Sequence, residues 1–395
     1  MPKIIKGSDN RIDLPQDFLQ RRHVPEQMEY WLDEREGELL LRPRLPDARK
    51  LYVEVTTGCN LDCRTCIRHS WGDPIAHMTD ETFQKILNGM DDLPDLERVV
   101  FTSFGEPLTQ PHLLEWVAAV RAKDIQVTIG TNGLLLSEEV SRELIRLGVD
   151  RLMISMDGGR PETMQAIRGT DPLQIIRNIE KLNALKLEMG SLFPGVGFEF
   201  VIMRSNQDEL DDLAKLAAEL NISRVLVSNV LPYTEEMRAE TLYGYAPQDA
   251  HKPTGWSNQL GAWLTWANMD LPRMHWGAER RCRFVQDKSI VISWDGKVSP
   301  CYALSHNYSY FAIDGIKKDV TRFSFGDVHQ QSLAEIWMSE AYSHFRSEVA
   351  VYHFPSCPDC DLRDTCDLRL ENEGCWGHDP SCADCLWAQD IIRCP

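Results

Sequence analysis

Apolar and polar positions change rhythm along this chain, and the change divides it. Between residues 50 and 230, short apolar runs alternate with segments of helical spacing. Leu51-Tyr52-Val53-Glu54-Val55 reads as a first strand, Arg98 to Thr102 as a second, Ile125 to Ile129 as a third and Arg151 to Met156 as a fourth. Phe198 to Met203 and Arg224 to Ser228 complete a set of six. Between them, Thr79 can cap a helix that places Phe83, Ile86, Leu87 and Met90 on one face. His112 to Ala122 reads as helix, and another starts at Ser137 and ends at Gly148. Asp171 caps a further helix with Pro172 in its first position, where the missing N–H costs nothing. The last runs from about Gln207 to Leu220. Six strand–helix units predict an α/β fold: a partial barrel of parallel strands, helices outside, open on one side. Functional loops then follow the C-terminal ends of the strands.

The flanks lack this rhythm. In residues 1–44, Arg11-Ile12-Asp13-Leu14-Pro15 reads as a strand ending at proline, and Gln16 to Arg21 as one or two helical turns. Gln27 to Leu32 and Glu38 to Leu41 flank Glu34-Arg35-Glu36-Gly37 as a hairpin. This order resembles the swapped-hairpin fold of AbrB-type transition-state regulators. Pro43 and Pro46 mark a linker to the barrel, which spans 45–230. Residues 231–281, rich in Trp and Pro, read as a bridge, and residues 282–395 as a cysteine-rich region with little periodicity.

Charge narrows the partners. The formal net charge of -18 repels phosphate backbones and anionic membranes, so no nucleic acid or membrane partner is expected, and the N-terminal unit reads as a small docking module. No segment approaches the ~20 apolar residues of a membrane span. The N-terminus lacks the apolar core of a signal peptide, so a cytoplasmic location is expected. In a reducing compartment, 12 cysteines point to metal rather than disulfides. Three cluster at Cys59, Cys63 and Cys66, and the rest begin at Cys282.

Cys59-Asn60-Leu61-Asp62-Cys63-Arg64-Thr65-Cys66 follows the first strand directly. Three thiolates leave one iron of a cubane open, as chemistry requires, whereas a structural zinc site would need a fourth ligand such as His69. Phe104-Gly105-Glu106-Pro107 follows the second strand, Thr131-Asn132-Gly133 the third, and Ser155-Met156-Asp157-Gly158 ends the fourth. This ordered set resembles the radical S-adenosylmethionine (SAM) superfamily over residues 50 to about 230. The resemblance implies a [4Fe–4S] cluster bound with SAM, cleaved by one electron to methionine and a 5′-deoxyadenosyl radical. It places Gly105, Glu106 and Pro107 at the SAM ammonium, Asn132 beside them, Ser155 at the ribose or carboxylate, and Arg168 at the carboxylate. Two positions depart from the family pattern: Thr65 stands where an aromatic residue often holds the adenine, and Phe104 replaces the first glycine.

Cys282 and Cys301 frame Asp295-Gly296, and Cys357-x(2)-Cys360-x(5)-Cys366 precedes Cys375, Cys382, Cys385 and Cys394. This resembles the SPASM extension, which implies two auxiliary [4Fe–4S] clusters. By that analogy Cys282, Cys301 and Cys375 hold the first. Cys357, Cys360 and Cys366 hold the second, with one of Cys382, Cys385 or Cys394. Leu370 stands where the pattern carries a cysteine, and one or two zinc sites remain the alternative. Tyr302, rather than an aspartate base, follows Cys301, which disfavours sulfatase maturation; packing is its plainer role.

Cys59 to Trp71, Val230 to Met237 and the tail from Cys375 resemble the radical SAM/SPASM maturases of tungsten-cofactor oxidoreductases of the aldehyde ferredoxin oxidoreductase type. That resemblance implies a protein or pterin-cofactor substrate and an electron donor such as ferredoxin or flavodoxin. A maturase of another peptide or protein is the alternative, and a non-enzymatic cluster carrier or zinc scaffold the third reading. Glu54, His69, Trp71, Glu199 and Asn229 are placed to face the barrel interior, where core packing is the commoner fate, and no catalytic acid or base is assigned.

Overall fold

The computed structural model describes residues 44–394 except 103, 252–267 and 376–377, together with four short strands in the first 43 residues. The chain divides into two compact units, 1–45 and 46–395.

In the first unit, β1 (Ile5–Lys6) pairs antiparallel with β2 (Ile12–Asp13). The hairpin joins β3 (Tyr30–Arg35) to β4 (Glu38–Pro43), with Arg35 opposite Glu38 and Tyr30 opposite Pro43. Pairing therefore continues past Leu32 to Arg35, three residues beyond the expected strand. The helical turns expected at 16–21 lie outside the described residues.

The second unit alternates strand and helix. Its order is β5 (Lys50–Val53), α1 (Asp80–Gly89), β6 (Arg98–Phe101), α2 (Leu113–Arg121), β7 (Gln126–Thr131), α3 (Glu138–Arg146) and β8 (Arg151–Ser155). Then come α4 (Pro161–Arg168), α5 (Pro172–Glu188), β9 (Gly195–Ile202), α6 (Leu210–Glu219) and β10 (Arg224–Asn229). Strands β5 to β10 lie side by side in chain order, each parallel to the next. Their ends align, with Lys50 opposite Arg98 and Arg98 opposite Gln126. All loops that leave the strands therefore emerge on one rim.

Local chemistry sets the helix starts. The Thr79, Ser137 and Asp171 side chains accept N–H bonds from Thr82, Val140 and Leu173, each contributing about 1 kcal/mol. Phe83 and Ile86 of α1 are fully buried, and Trp116 of α2 stacks on Phe83 at 4.5 Å. Removing so well packed a ring costs about 3–5 kcal/mol.

Beyond β10 the chain forms α7 (Glu235–Arg238), β11 (Met269–Asp270), α8 (Arg283–Gln286), β12 (Ser289–Ile292) and β13 (Lys297–Ser299). It continues through β14 (Tyr308–Phe311), β15 (Lys317–Val320), β16 (Gly326–Asp327), α9 (Leu333–Trp337) and α10 (Glu340–Val351). The cysteine-rich region does not stand apart from the barrel. Strand β12 pairs parallel with β5, Ser289 opposite Lys50, so the open edge of the sheet is continued by β12, β13 and β16. Strand β11 extends the other edge beside β10. Two helices unseen in the periodicity, α9 and α10, bury Trp337 and Tyr342. No described helix is long and apolar enough to cross a membrane.

Candidate active site

The loop after β5 carries Cys59, Cys63 and Cys66, all half-buried and free. Each sulfur has an N–H within reach. Leu61 N lies 3.4 Å from Cys59 Sγ, Arg68 Nε 3.2 Å from Cys66 Sγ and Arg168 Nη1 4.0 Å from Cys63 Sγ. Burial pushes the Cys63 thiol up to about 11, against the pull of Arg168. His69 turns its Nε2 to the Cys63 carbonyl at 3.0 Å, so its hydrogen bond goes to backbone rather than sulfur.

The Gly105-Glu106-Pro107 turn sits against the entry to this loop. Glu106 N–H donates to Gly58 O at 2.7 Å, and a Cβ on Gly105 would stand 2.5 Å from Thr56 O. Only glycine allows that approach. The Glu106 carboxylate is buried and accepts from Thr131 Oγ1 (2.7 Å), Asn132 N (2.6 Å) and Leu108 N (3.1 Å). Burial raises its pKa, though these three bonds oppose the shift. Asn132 donates from Nδ2 to Asn60 Oδ1 at 2.8 Å and lies 3.9 Å from Cys59 Sγ, tying the third strand's loop to the first. Arg168 ends α4, with Nε donating to the fully buried Asp157 at 2.7 Å. Asp157 is itself held by Val201 N–H at 2.9 Å.

Cys59, Cys63, Cys66, Gly105, Glu106, Asn132 and Arg168 line one cavity of about 290 Å³, where Ser155, Thr65 and Phe104 join them, whereas His69, Asp157 and Pro107 stand outside its lining. Pro107 is buried at the start of the following 3-10 turn. The far wall comes from β9, β10 and the chain's last residues: Glu199, Ser228, Asn229, Tyr233, Trp387 and Cys394. Two buried acceptor atoms there, Glu199 Oε1 and Asn229 Oδ1, have no hydrogen-bond partner among the described residues. Burial pushes Glu199 up to about 7, Arg168 opposing and Asp157 adding to the rise. The donor set suits a cluster with a polar ligand beside it: three thiols with the Arg168 guanidinium next to Cys63, and the orphaned acceptors of Glu199 and Asn229 in the same cavity.

Glu54 and Trp71 serve a different purpose. The fully buried His306 donates to Glu54 (Nε2 to Oε2, 2.9 Å) and to Asp73 from Nδ1, while Trp71 packs on its ring at 4.5 Å. Burial alone would lower the His306 pKa, but the two carboxylates outweigh it and the net shift is upward. Nothing in the local sequence marks His306, because its partners are more than 200 residues away. Tyr302 is packed against Tyr52, Phe104 and Phe284, and its hydroxyl donates to Thr102 O at 3.1 Å.

The C-terminal cysteines are grouped differently from the analogy. Burial drives the Cys382 thiol well up, and the charges of Cys385, Cys282 and Cys301 add to the rise, so these three lie within electrostatic range of Cys382. Burial, with Cys385 next, pushes Cys282 up to about 12. Cys375, expected with Cys282 and Cys301, instead joins Cys357, Cys360 and Cys366 around a second cavity of about 540 Å³. Cys282 stands at the N-cap of the short helix α8 that leads into β12, the strand paired with β5, and Cys301 follows β13. Cys394 lines the first cavity, its sulfur accepting from Trp387 Nε1 at 3.3 Å. One tetrahedral zinc at 2.3 Å would draw thiolates to about 3.8 Å of one another. Among the described residues no three cysteine sulfurs lie within 4.8 Å of one another.

Comparison with known proteins agrees with this architecture. The family model "Radical SAM superfamily" matches residues 53–217, and "Iron-sulfur cluster-binding domain" (SPASM) matches residues 282–361. A tungsten-containing aldehyde ferredoxin oxidoreductase cofactor-modifying protein from Pyrococcus furiosus is 37% identical over 87% of this chain and 96% of its own length. Mycofactocin maturase MftC from Mycobacterium tuberculosis is 31% identical over 44% of each chain. Among solved structures, Streptococcus suis SuiB bound to its precursor peptide SuiA shares the fold, with a TM-score of 0.58 and 17% identity over 82% of this chain and 71% of that one. With the cysteine loop, the ordered strand-end motifs and the cysteine-rich extension all in place, the chain belongs to the radical SAM superfamily, as a SPASM-bearing iron–sulfur enzyme of the group that includes the tungsten-cofactor oxidoreductase maturases.

Proposed function

We propose that Cys59, Cys63 and Cys66 hold a [4Fe–4S] cluster and that SAM fills the cavity beside it. The observation that carries this is the convergence of the three thiols, Gly105, Glu106, Asn132, Ser155 and Arg168 on one cavity at a common rim. The cluster supplies the electron that cleaves SAM reductively. The chain's own residues bind and orient. Three donors occupy Glu106, and a carboxylate offers about four acceptor positions, so one is left for the SAM ammonium. Asp157 fixes Arg168 through Nε, which leaves the remaining guanidinium N–H groups for the SAM carboxylate. Pro107 shapes the turn that presents Glu106. Residues 45–230 are thus the SAM-binding barrel, 231–281 a bridge, and 1–44 a docking unit.

In residues 282–395, Cys282, Cys301, Cys382 and Cys385 hold one auxiliary [4Fe–4S] cluster, and Cys357, Cys360, Cys366 and Cys375 a second. Electrons come from a ferredoxin or flavodoxin. The reaction serves maturation of a tungsten-cofactor oxidoreductase of the aldehyde ferredoxin oxidoreductase type, acting on its pterin cofactor or on the host protein. The identity spanning 96% of the cofactor-modifying relative supports this reading. Co-expression tests it: a tungsten oxidoreductase should gain activity with this chain and not with a Cys59→Ala/Cys63→Ala/Cys66→Ala variant. An oxidoreductase fully active without the chain would favour the second reading, a peptide or protein maturase, which the likeness to MftC supports.

A further inference from the structure

Away from both cavities, three metal-ligating side chains come together at the end of α10. The ligand atoms of Glu348, His353 and His378 all lie within 4.8 Å of one another, and no other group of three or more His, Cys, Asp or Glu does so among the described residues. Glu348 is buried, three residues before the end of the helix, and its Oε2 lies 3.0 Å from His353 Nδ1. A carboxylate at a helix C-terminus faces the negative end of the macrodipole, so this is a place that favours a cation.

The backbone is bent to make the cluster. Tyr352, the residue after α10, adopts the left-handed conformation (φ 53°, ψ 52°), which is strained for a side chain of this size. That turn folds His353 back until its N–H donates to Glu348 O at 2.9 Å. Arg280 braces the turn, donating to Phe354 O and Pro355 O at 3.0 Å while its guanidinium lies over the Tyr352 ring. From the other side, His378 is held by its own N–H bond to Cys375 O at 2.9 Å, and Tyr352 Oη donates to Cys382 O at 3.1 Å. The three ligands therefore come from two separate segments of the chain.

We propose that Glu348, His353 and His378 bind one divalent ion of the zinc class, tying the end of α10 to the loop that carries Cys375 and runs on to Cys382 and Cys385. Two imidazoles and one carboxylate suit zinc, with a fourth position left to solvent. Nitrogen and oxygen ligands at 2.0–2.1 Å stand about 3.4 Å apart, which lies between the 3.0 Å of the Glu348–His353 pair and the 4.8 Å that bounds the group. Through His378 beside Cys375, and through Tyr352 bonded to Cys382 O, the ion would brace both cysteine-bearing segments without using any cysteine as a ligand.

The test uses the full-length protein reconstituted with iron and sulfide, so that its cysteines are engaged, and then cleared of loose metal. Zinc chloride is titrated against a chromogenic chelator. One tight equivalent per chain is expected. His353→Ala should weaken it at least 100-fold, more than the loss of an outer partner does. The His353 side chain is 65% exposed, so its truncation does not threaten folding, and iron content measured in the same sample checks that the clusters survive. Cobalt chloride in place of zinc should give weak d–d bands without thiolate charge transfer. Equal zinc binding by wild type, His353→Ala and His378→Ala overturns the site, as does a cobalt spectrum dominated by thiolate bands.

Discussion

Replacing Gly105 by alanine probes the point where the barrel's first two loops touch. A Cβ at residue 105 would lie 2.5 Å from Thr56 O and 2.8 Å from Thr57 C, and closer still to Gly58 O. Carbon–oxygen contacts run at about 3.3 Å or longer, so the two backbones must part by about 0.8 Å. Neither partner is a flexible side-chain tip that could swing away. The separation also stretches the 2.7 Å bond from Glu106 N to Gly58 O, one residue before Cys59. Overpacking of this kind costs about 1–3 kcal/mol of stability. The catalytic cost is larger, because a misplacement of ~1 Å between reacting groups lowers rates by about 100-fold. The assay is the rate of 5′-deoxyadenosine formation at matched iron content. Gly105→Ala should load iron normally, since all three cysteines remain, yet turn over SAM about 100-fold more slowly. Gly72→Ala is the control: nothing lies within 4 Å of its added Cβ, and it should behave as wild type. A Gly105→Ala enzyme with wild-type turnover would refute the claim that this contact positions the SAM site.

Three further outcomes are expected. His306, whose pKa is raised when folded, contributes stability that is fully present below about 6.5 and lost as pH rises through the higher folded value. The wild-type melting temperature should therefore fall across that window, and His306→Gln, which leaves Glu54 and Asp73 without their cation, should cost about 3–5 kcal/mol at pH 6 and flatten the dependence. Glu199, raised to about 7 chiefly by burial, likewise destabilises the fold as pH climbs from about 4.3 through 7. Glu199→Gln should thus melt higher than wild type at pH 8 and much the same at pH 4, as calorimetry can check. Finally, Cys375→Ser should cost one cluster's worth of iron, about four atoms per chain, whereas Cys394→Ser should leave iron content unchanged. The reverse order would restore Cys394 to the ligand set.

The six parallel strands were legible because fully buried strands are written as short apolar runs between turn signals, and Thr79, Ser137 and Asp171 announce the helices they cap. Helix α4 was missed, although Pro161 at its start and Gly169 (φ 67°) at its end are proper boundary residues. Its apolar face is only Met164 and Ile167, too little for a periodic signal over eight residues. Helix α9 carried a readable mark, the reciprocal Ser332–Glu335 capping box, hidden in a region dominated by cysteine spacing. The residues that line the first cavity were legible where they follow a strand end closely, as Gly105, Glu106, Asn132 and Ser155 do, whereas Arg168 ends the missed helix α4. The cysteine grouping was not, since it depends on β12 pairing with β5 across more than 200 residues and on the tail returning to the barrel. The same return puts Trp387 and Cys394 in the first cavity's wall, which no local pattern encodes.

The central claim is that the Cys59-Cys63-Cys66 loop and the cavity beside it cleave SAM. The most direct measurement is anaerobic: reconstitute the protein with iron and sulfide, add SAM and dithionite, and follow 5′-deoxyadenosine by chromatography. Wild type should form it, and the Cys59→Ala/Cys63→Ala/Cys66→Ala variant should form none. A fully iron-loaded wild type that yields no 5′-deoxyadenosine, alone or with a candidate apo-oxidoreductase present, would contradict the account.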